Sequence, residues 1–94
     1  MTYRLEFKKQ ALREWRNLDP VVQVQFKTKL AERLLDPHVP SAKIRGGKNL
    51  HKIKLRQVGY RLVYEVNNKV VTVTVLAVGK RDRKGVYLAA LGRL

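Results

Sequence analysis

The stretch HKIKLRQVGYRLVYEVNNKVVTVTV, residues 51–75, alternates apolar and polar side chains over most of its length. A period of two residues is typical of β-strands whose two faces meet different surroundings. The alternation breaks at Gln57-Val58 and at Asn67-Asn68, and asparagines tolerate the positive φ that a two-residue hairpin turn needs. The stretch therefore predicts an antiparallel meander of three strands. Their sequences are HKIKLR (51–56), GYRLVYEV (59–66) and KVVTVTVLAV (69–78).

The two faces of this predicted meander carry different chemistry. Two-residue turns would place Lys54 opposite Arg61, Arg61 opposite Thr74, and Val63 opposite Thr72. One face then presents Lys52, Lys54, Arg61, Thr72 and Thr74. The other face presents Ile53, Leu55, Leu62, Tyr64, Val66, Val71, Val73 and Val75. We expect helices to cover this second, apolar face.

The basic face of the meander admits two interpretations. Like charges directly opposed on neighbouring strands destabilise a sheet, and an anion bound between them would reverse that cost. Crowded cations also lower the pKa of a lysine, which lets a lysine act as a base near neutral pH. The alternative is a solvated strand face whose cations protect against edge pairing. We favour a phosphate-binding face, although these residues do not distinguish RNA from DNA, or binding from catalysis.

The segments before the meander predict one strand and two helices. TYRLEF (2–7) alternates like a half-buried strand, and KKQALREWRNL (8–18) repeats its apolar residues at helical spacing, with Trp15 on the apolar stripe. Asp19-Pro20 predicts the start of a second helix, in which an N-cap acceptor precedes a proline, and this helix should end near Leu35. The two helices should form an antiparallel pair across one face of the sheet.

The remaining segments are a loop and a tail. DPHVPSAKIRGGKN (36–49) holds two prolines and two glycines and predicts a basic loop. RDRKGVYLAALGRL (81–94) predicts a short C-terminal helix that Gly85 and Gly92 weaken. The chain therefore reads as an α+β fold in a single domain, residues 1–94.

Charge and composition exclude several classes of protein. The 94 residues hold 21 Lys and Arg against seven Asp and Glu, a formal net charge of +14 that favours a polyanionic partner. No cysteine is present, which excludes disulfides and cysteine-based zinc sites. The N-terminus lacks the apolar core of a signal peptide, and the apolar run at 70–78 is too short to span a bilayer. We expect a cytoplasmic protein with no membrane partner, no metal and no cofactor.

Five motifs resemble a known family along nearly the whole chain. They are ALREWRNL (11–18), the K-IRG stretch (43–46), KIKLR (52–56), GYRLVY (59–64) and VGKRDRKGVY (78–87), and in this spacing they resemble the RelE-type toxins of bacterial toxin–antitoxin pairs. The resemblance implies a small microbial-ribonuclease-like α+β fold, with helices on one face of an antiparallel sheet. It implies a ribosome-dependent mRNA endonuclease that cuts codons in the ribosomal A site. The implied partners are a cognate acidic antitoxin, the ribosome with its 16S rRNA, and mRNA, with operator DNA bound only through the antitoxin complex.

The resemblance also implies the site residues. The matching catalytic positions are Lys52, Lys54, Arg61, Arg81 and Tyr87, and the RNA-binding positions are Lys43, Arg45, Lys80 and Arg83. In such enzymes the RNA 2′-OH attacks the adjacent phosphate. Lys54 would be the general base, with Lys52 supporting it and contacting phosphate, and Arg61 would clamp the phosphorane. Arg81 would stabilise or protonate the leaving oxygen, and its high pKa favours stabilisation; Tyr87 would orient the nucleophile or stack on a base.

Some alternatives stay open on the sequence. Strand parity from Thr74 does not put Arg81 on the basic face, so we expect a bend at Gly79. His38 and His51 are left out of the site as surface or structural residues. The other functions to weigh are a toxin of the same superfamily that inhibits DNA gyrase, and a basic nucleic-acid-binding module without catalysis. We expect the cations of the second helix, Lys27, Lys29 and Arg33, to be a solvated face.

Overall fold

The alternating and helical segments of the sequence become strands and helices close to where their patterns place them. The computed structural model describes residues 2–80 and 85–94. In chain order the elements are β1 (Arg4–Phe7), α1 (Lys9–Arg16), α2 (Pro20–Leu35), a 3₁₀ turn (Pro40–Ala42), β2 (Leu50–Leu55), β3 (Tyr60–Asn67), β4 (Thr72–Lys80) and α3 (Gly85–Gly92). None of the helices in the described ranges is long and apolar enough to cross a membrane.

The sheet is mixed, which corrects the expectation of an antiparallel sheet. Within the described residues its strand order is β1-β4-β3-β2. β2 with β3 and β3 with β4 are antiparallel, but β1 runs parallel to β4, from Arg4 opposite Thr72 to Phe7 opposite Val75. A parallel pair needs a crossover connection longer than a hairpin turn, and the α1–α2 pair lies within that connection.

The register between β2 and β3 is confirmed. Lys54 lies opposite Arg61, and the last pair before the turn is Leu55 with Tyr60. The connection is longer than the predicted two residues, because Gly59 takes a positive φ of 72° and its N–H donates to the Leu55 carbonyl at 2.8 Å. Glycine adopts this conformation without steric cost.

The predicted register between β3 and β4 is wrong. Arg61 lies opposite Gly79 rather than Thr74, and Val63 lies opposite Ala77 rather than Thr72. One cause is the turn, where the Asn67 side chain accepts hydrogen bonds from the backbone N–H groups of residues 69 and 70, so that β4 begins only at residue 72. The other cause is a β-bulge, because residue 76 has no partner between the pairs that Val63 and residue 64 form.

Two apolar clusters flank the sheet. α1 and α2 cover one face, and this larger cluster includes the expected core residues of that face except Val71, which lies in the turn with a φ of 51°. Trp15 packs between Phe7 and Phe26, with ring centroids 5.4 and 6.2 Å apart, as the helical stripe predicts. α3 covers part of the opposite face, so the helices do not all lie on one side.

The start of α2 differs in one detail. Pro20 is the first helical residue, as predicted, and the backbone carbonyl of Asp19 accepts from the N–H of Gln23 at 3.0 Å. The Asp19 carboxylate makes no capping hydrogen bond, so its predicted role as a side-chain cap is wrong. Proline removes one of the N–H groups that a cap would serve, and the exposed carboxylate stays hydrated.

Candidate active site

The basic side chains of β2 and β3 lie on the face of the sheet that α3 partly covers. Alternation puts Lys52 and Lys54 of β2 on this face, and pairing brings Arg61 of β3 directly opposite Lys54. Lys54 is exposed, whereas Lys52 and Arg61 are half-buried. Lys54, Arg61 and the turn around Gly59 line a cavity of about 230 Å³, several times the share of one water molecule in the liquid. These cations make the cavity suitable for a negatively charged ligand.

The Tyr87 side chain of α3 packs against this basic face. Its ring centroid lies 5.2 Å from the guanidinium carbon of Arg61, within the range of a cation–π contact. The Tyr87 hydroxyl is buried and makes no hydrogen bond within residues 2–80 and 85–94. A buried hydroxyl without a partner costs about 1–3 kcal/mol, and such groups call for a functional explanation. The α3 helix therefore holds Tyr87 against the basic hairpin.

The loop before β2 brings Lys43 and Arg45 to the same region. The N–H of Ile44 donates to the carbonyl of Leu50 at 2.9 Å, which fixes this part of the loop against β2. A cavity of about 520 Å³ lies between the loop, β2 and α3. Its lining residues are Lys43, Ile44, Arg45, Lys52, Tyr87, Leu88 and Leu91. Apolar and aromatic walls with three cations at the rim suit a flat, partly apolar and negatively charged ligand.

One described residue of the predicted site, Lys80, does not join this group. Lys80 is exposed at the end of β4 opposite Tyr60, whose ring packs against the core on the α1–α2 side, so Lys80 points away from the basic face. Arg81 and Arg83 lie outside the described residues. The bulge at residue 76 changes the alternation along β4 and puts Gly79 on the side of Arg61, so the parity count from Thr74 does not hold beyond it.

Arg33 does not belong to a solvated face, which corrects the expectation for this residue. It is half-buried beneath the sheet, and it donates to the Lys52 carbonyl at 3.2 Å and to the Tyr64 hydroxyl at 2.9 Å. Tyr64 in turn donates to the Pro37 carbonyl at 2.8 Å. The signal was present, because Arg33 follows the buried Leu30 by three residues and so shares its face of α2. Lys27 and Lys29 are exposed, as expected.

The two histidines lie away from the basic face. His51 is 3% exposed on the α2 side of the sheet and stacks on Tyr64, with ring centroids 5.4 Å apart. Burial is the main cause that lowers the pKa of His51, and the nearby charges of His38, Arg33 and Lys43 lower it further. His38 is exposed and lies within hydrogen-bond distance of the Asn68 side chain, at 2.8 Å. Their positions agree with their omission from the site.

Comparison with known proteins gives consistent matches. Residues 5–85 match the family model described as the ParE toxin of the type II toxin–antitoxin system parDE. The mRNA interferase toxin RelE of Escherichia coli strain K12 is 48% identical over 94 residues, which cover 100% of this chain and 99% of that protein.

Solved structures agree with the sequence matches. The free-state structure of an R81A/R83A mutant of E. coli toxin RelE is 46% identical and superposes with a TM-score of 0.92, covering 100% of this chain and 99% of that one. The toxin in the intact E. coli RelBE toxin–antitoxin complex is 48% identical with a TM-score of 0.83, covering 86% of this chain and 99% of that one. The chain therefore belongs to the RelE/ParE superfamily of type II toxin–antitoxin toxins, as a RelE-type member.

Proposed function

We propose that this protein is the toxin of a type II toxin–antitoxin system and cuts mRNA in the ribosomal A site. One observation supports the proposal above all: Lys52, Lys54, Arg61 and Tyr87 meet on one face of the sheet. The same chain is 48% identical over its full length to a protein named as an mRNA interferase. Cleavage would inhibit translation. We propose a cytoplasmic location, because the proposed substrate is mRNA on the ribosome.

The chemistry needs a base, a charge clamp and a stabilised leaving oxygen. The 2′-OH of the RNA loses a proton as it attacks the adjacent phosphorus, and the departing 5′ oxygen gains one, which leaves a 2′,3′-cyclic phosphate and a free 5′-OH. Lys54 is the proposed base, acting as a neutral amine, because its side chain is exposed at the cavity that Arg61 also lines. Lys52 contacts the phosphate from the neighbouring position on β2. Arg81 is proposed to stabilise the leaving oxygen by its charge.

Arg61 and Tyr87 are proposed to act as a unit on the phosphorane and the nucleotide. A guanidinium offers fixed donors that match two phosphate oxygens, and the phosphorane carries more negative charge than the phosphodiester, so the clamp binds the transition state more tightly. The ring of Tyr87 restrains the Arg61 guanidinium at 5.2 Å. The Tyr87 hydroxyl is buried and has no partner among the described residues, so orienting the 2′-OH would require α3 to shift when RNA binds.

The 520 Å³ cavity is the proposed place for RNA beyond the scissile bond. Its walls include Leu88, Leu91 and the Tyr87 ring, which suit a nucleobase, and its rim includes Lys43, Arg45 and Lys52, which suit phosphate. Lys80 and Arg83 are retained as proposed contacts to the RNA backbone or rRNA. No metal ion is needed in this scheme, because side-chain cations supply the charge.

Ribosome dependence follows from what the proposed site lacks. Neither histidine reaches the basic face, so the described residues offer it no histidine for general acid–base catalysis. Such a site gains most from a substrate that is already held in a reactive geometry. We propose that the ribosome supplies this geometry by holding the codon in the A site.

The proposed partner that restrains the toxin is an acidic antitoxin. A net charge of +14 favours an acidic polypeptide that is partly disordered before binding, and operator DNA would be reached only through the complex. Besides the basic face, the outer side of α2 carries a stripe at steps of three and four residues, in which Thr28 interrupts the apolar residues Val21, Val24, Ala31 and Leu35. Val21, Val24 and Leu35 are 65%, 60% and 67% exposed. We propose that an amphipathic antitoxin helix covers this stripe.

Val24→Lys should weaken antitoxin binding in calorimetry without changing the melting temperature, and unchanged affinity would rule the stripe out.

Cleavage mapping tests the proposed function. We expect the purified protein to cut mRNA on programmed ribosomes at the A-site codon, with 5′-OH ends, and to leave the supercoiling activity of DNA gyrase unchanged. DNA gyrase is the alternative target to exclude, because the same superfamily also includes gyrase-inhibiting toxins. Inhibition of supercoiling without mRNA cleavage would replace the proposed function with gyrase poisoning. Salt-sensitive RNA binding without new ends would make the protein a binding module.

A further inference from the structure

The outer edge of β4 is closed by side chains where its partner strand ends. β1 pairs with β4 only from Thr72 to Val75, so beyond that point no described strand lies along this edge. Glu14 of α1 accepts a hydrogen bond from the N–H of Val78 at 3.2 Å. Arg93, which follows α3, donates to the carbonyl of Leu76 at 2.9 Å. Two side chains from distant parts of the sequence therefore satisfy the exposed strand edge.

The same two side chains bind each other. The Arg93 guanidinium donates to both carboxylate oxygens of Glu14, at 2.8 and 3.1 Å, and the Arg93 side chain is 17% exposed. Fork-like pairs of this kind have strict geometry and are stronger than neutral hydrogen bonds. Because α1 covers one face of the sheet and α3 the other, this edge pair (Glu14 and Arg93) ties the two helices together around β4.

α3 depends on such a tie more than a longer helix would. It spans eight residues, Gly85–Gly92, and a helix of that length is marginal in water without docking. Of its residues only Ala90 is fully buried, and Leu88 is 64% exposed. The apolar cluster beneath it is small, with Leu50, Val63, Leu76 and Ala77 as its sheet residues.

From this geometry we infer that the edge pair positions Tyr87 over Arg61, so that Glu14 and Arg93 are positioning residues for RNA cleavage. The inference rests on the proposed function for its consequence in catalysis. Tyr87 lies in the first turn of α3 and Arg93 directly after the last turn, so a fixed end at Arg93 limits how far the helix can pivot or fray. Neither residue lines the cavities at the basic face, and both act through the docking of α3.

The test combines amide exchange with single-turnover cleavage on programmed ribosomes. The variants are Arg93→Gln, Arg93→Lys and Glu14→Gln. Arg13→Gln is the matched control, because Arg13 is an exposed cation on the same helix as Glu14. We expect Arg93→Gln to speed exchange at the amides of the last turn of α3, while amides of β3 keep their protection. We expect its cleavage rate to fall about 10- to 100-fold, since a small misplacement of a reacting group has that effect.

Comparison with Tyr87→Ala separates positioning from general loss of structure. If the edge pair acts through Tyr87, adding Arg93→Gln to Tyr87→Ala should cost less than about twofold further, because coupled residues are not additive. Arg93→Lys should retain part of the rate, and Arg13→Gln should match the wild type. Unchanged exchange at α3, or losses that multiply with Tyr87→Ala, would overturn the inference. If the wild-type protein cuts no mRNA, the proposed function fails, and the exchange measurement still decides whether the edge pair holds α3.

Discussion

At the residue scale, the proposed site consists of cations whose positions come from strand pairing and from one aromatic contact. Lys54 and Arg61 oppose each other because residues 51–61 form a hairpin with a fixed register, and this pair could be predicted from a turn centred on Gln57-Val58. Tyr87 could not, because nothing in the spacing of the sequence fixes how a terminal helix docks. The resemblance to RelE-type toxins implied a catalytic role for Tyr87, and α3 places its ring beside Arg61.

Substitution of Tyr87 separates the ring from the hydroxyl. Tyr87→Phe keeps the contact with Arg61 and removes a buried hydroxyl that has no partner in the described structure, so the free energy of unfolding should not fall. Its cleavage rate should fall if the hydroxyl orients the nucleophile. Tyr87→Ala should lower the cleavage rate further and also lower stability, by about 3–5 kcal/mol at most, because the ring contact is lost. Urea unfolding and single-turnover cleavage measure the two effects. A Tyr87→Phe protein that is clearly less stable would show that the hydroxyl has a structural role.

His51 should make stability depend on pH. Its folded-state pKa lies below the ordinary value of 6.5, because burial and the charges of His38, Arg33 and Lys43 disfavour the imidazolium. The unfolded chain therefore binds the proton more readily, and stability should fall as the pH drops below 6.5 toward the folded pKa. The loss is about 1.4 kcal/mol for each unit of depression. Urea unfolding at pH 7.5 and at pH 5 should show a smaller difference for His51→Gln than for the wild type, and an equal difference would contradict this account.

At the element scale, the predicted strand pairing is correct only where no side chain binds the backbone of the turn between the two strands. The β2–β3 register follows from alternation, whereas the β3–β4 register depends on the Asn67 side chain and on a bulge, neither of which has a periodic signal. The predicted bounds of α2 match the observed ones, because Pro20 marks its start and its buried apolar residues recur at helical spacing. Arg33 was read as solvated because charge outweighed its position on the buried face.

The Tyr64 hydroxyl of β3 contributes to the contact between α2 and the sheet. This hydroxyl accepts from Arg33 at 2.9 Å and donates to the Pro37 carbonyl at 2.8 Å, in a buried position. Tyr64→Phe should lower the free energy of unfolding by about 1–3 kcal/mol, because it leaves buried groups unpaired. Tyr3→Phe is the control, since the Tyr3 hydroxyl donates to Asn68 at 2.9 Å in an exposed position and its loss should change stability little. Equal losses in chemical denaturation would show that burial of the Tyr64 bonds is not what matters.

At the scale of the whole molecule, the two faces of the sheet have different roles. The α1–α2 side holds the larger apolar cluster, which stabilises the fold, and the other side has a small cluster beneath α3 beside the cations. The composition predicts the charge and the α+β class, but not the parallel pairing of β1 with β4, since the choice of partner strand is a property of the whole chain. A net charge of +14 on so small a protein supports a polyanionic substrate and an acidic partner.

Single-turnover cleavage by Lys54→Ala on programmed ribosomes tests the central claim most directly. Lys69→Ala is the matched control, because Lys69 is an exposed cation in the turn between β3 and β4, away from the proposed site. We expect the wild type and Lys69→Ala to cut the A-site codon at similar rates, and Lys54→Ala to be slower by roughly 10²- to 10⁴-fold, the usual contribution of a general base. Cleavage by Lys54→Ala at a rate close to that of the wild type would contradict the proposed site.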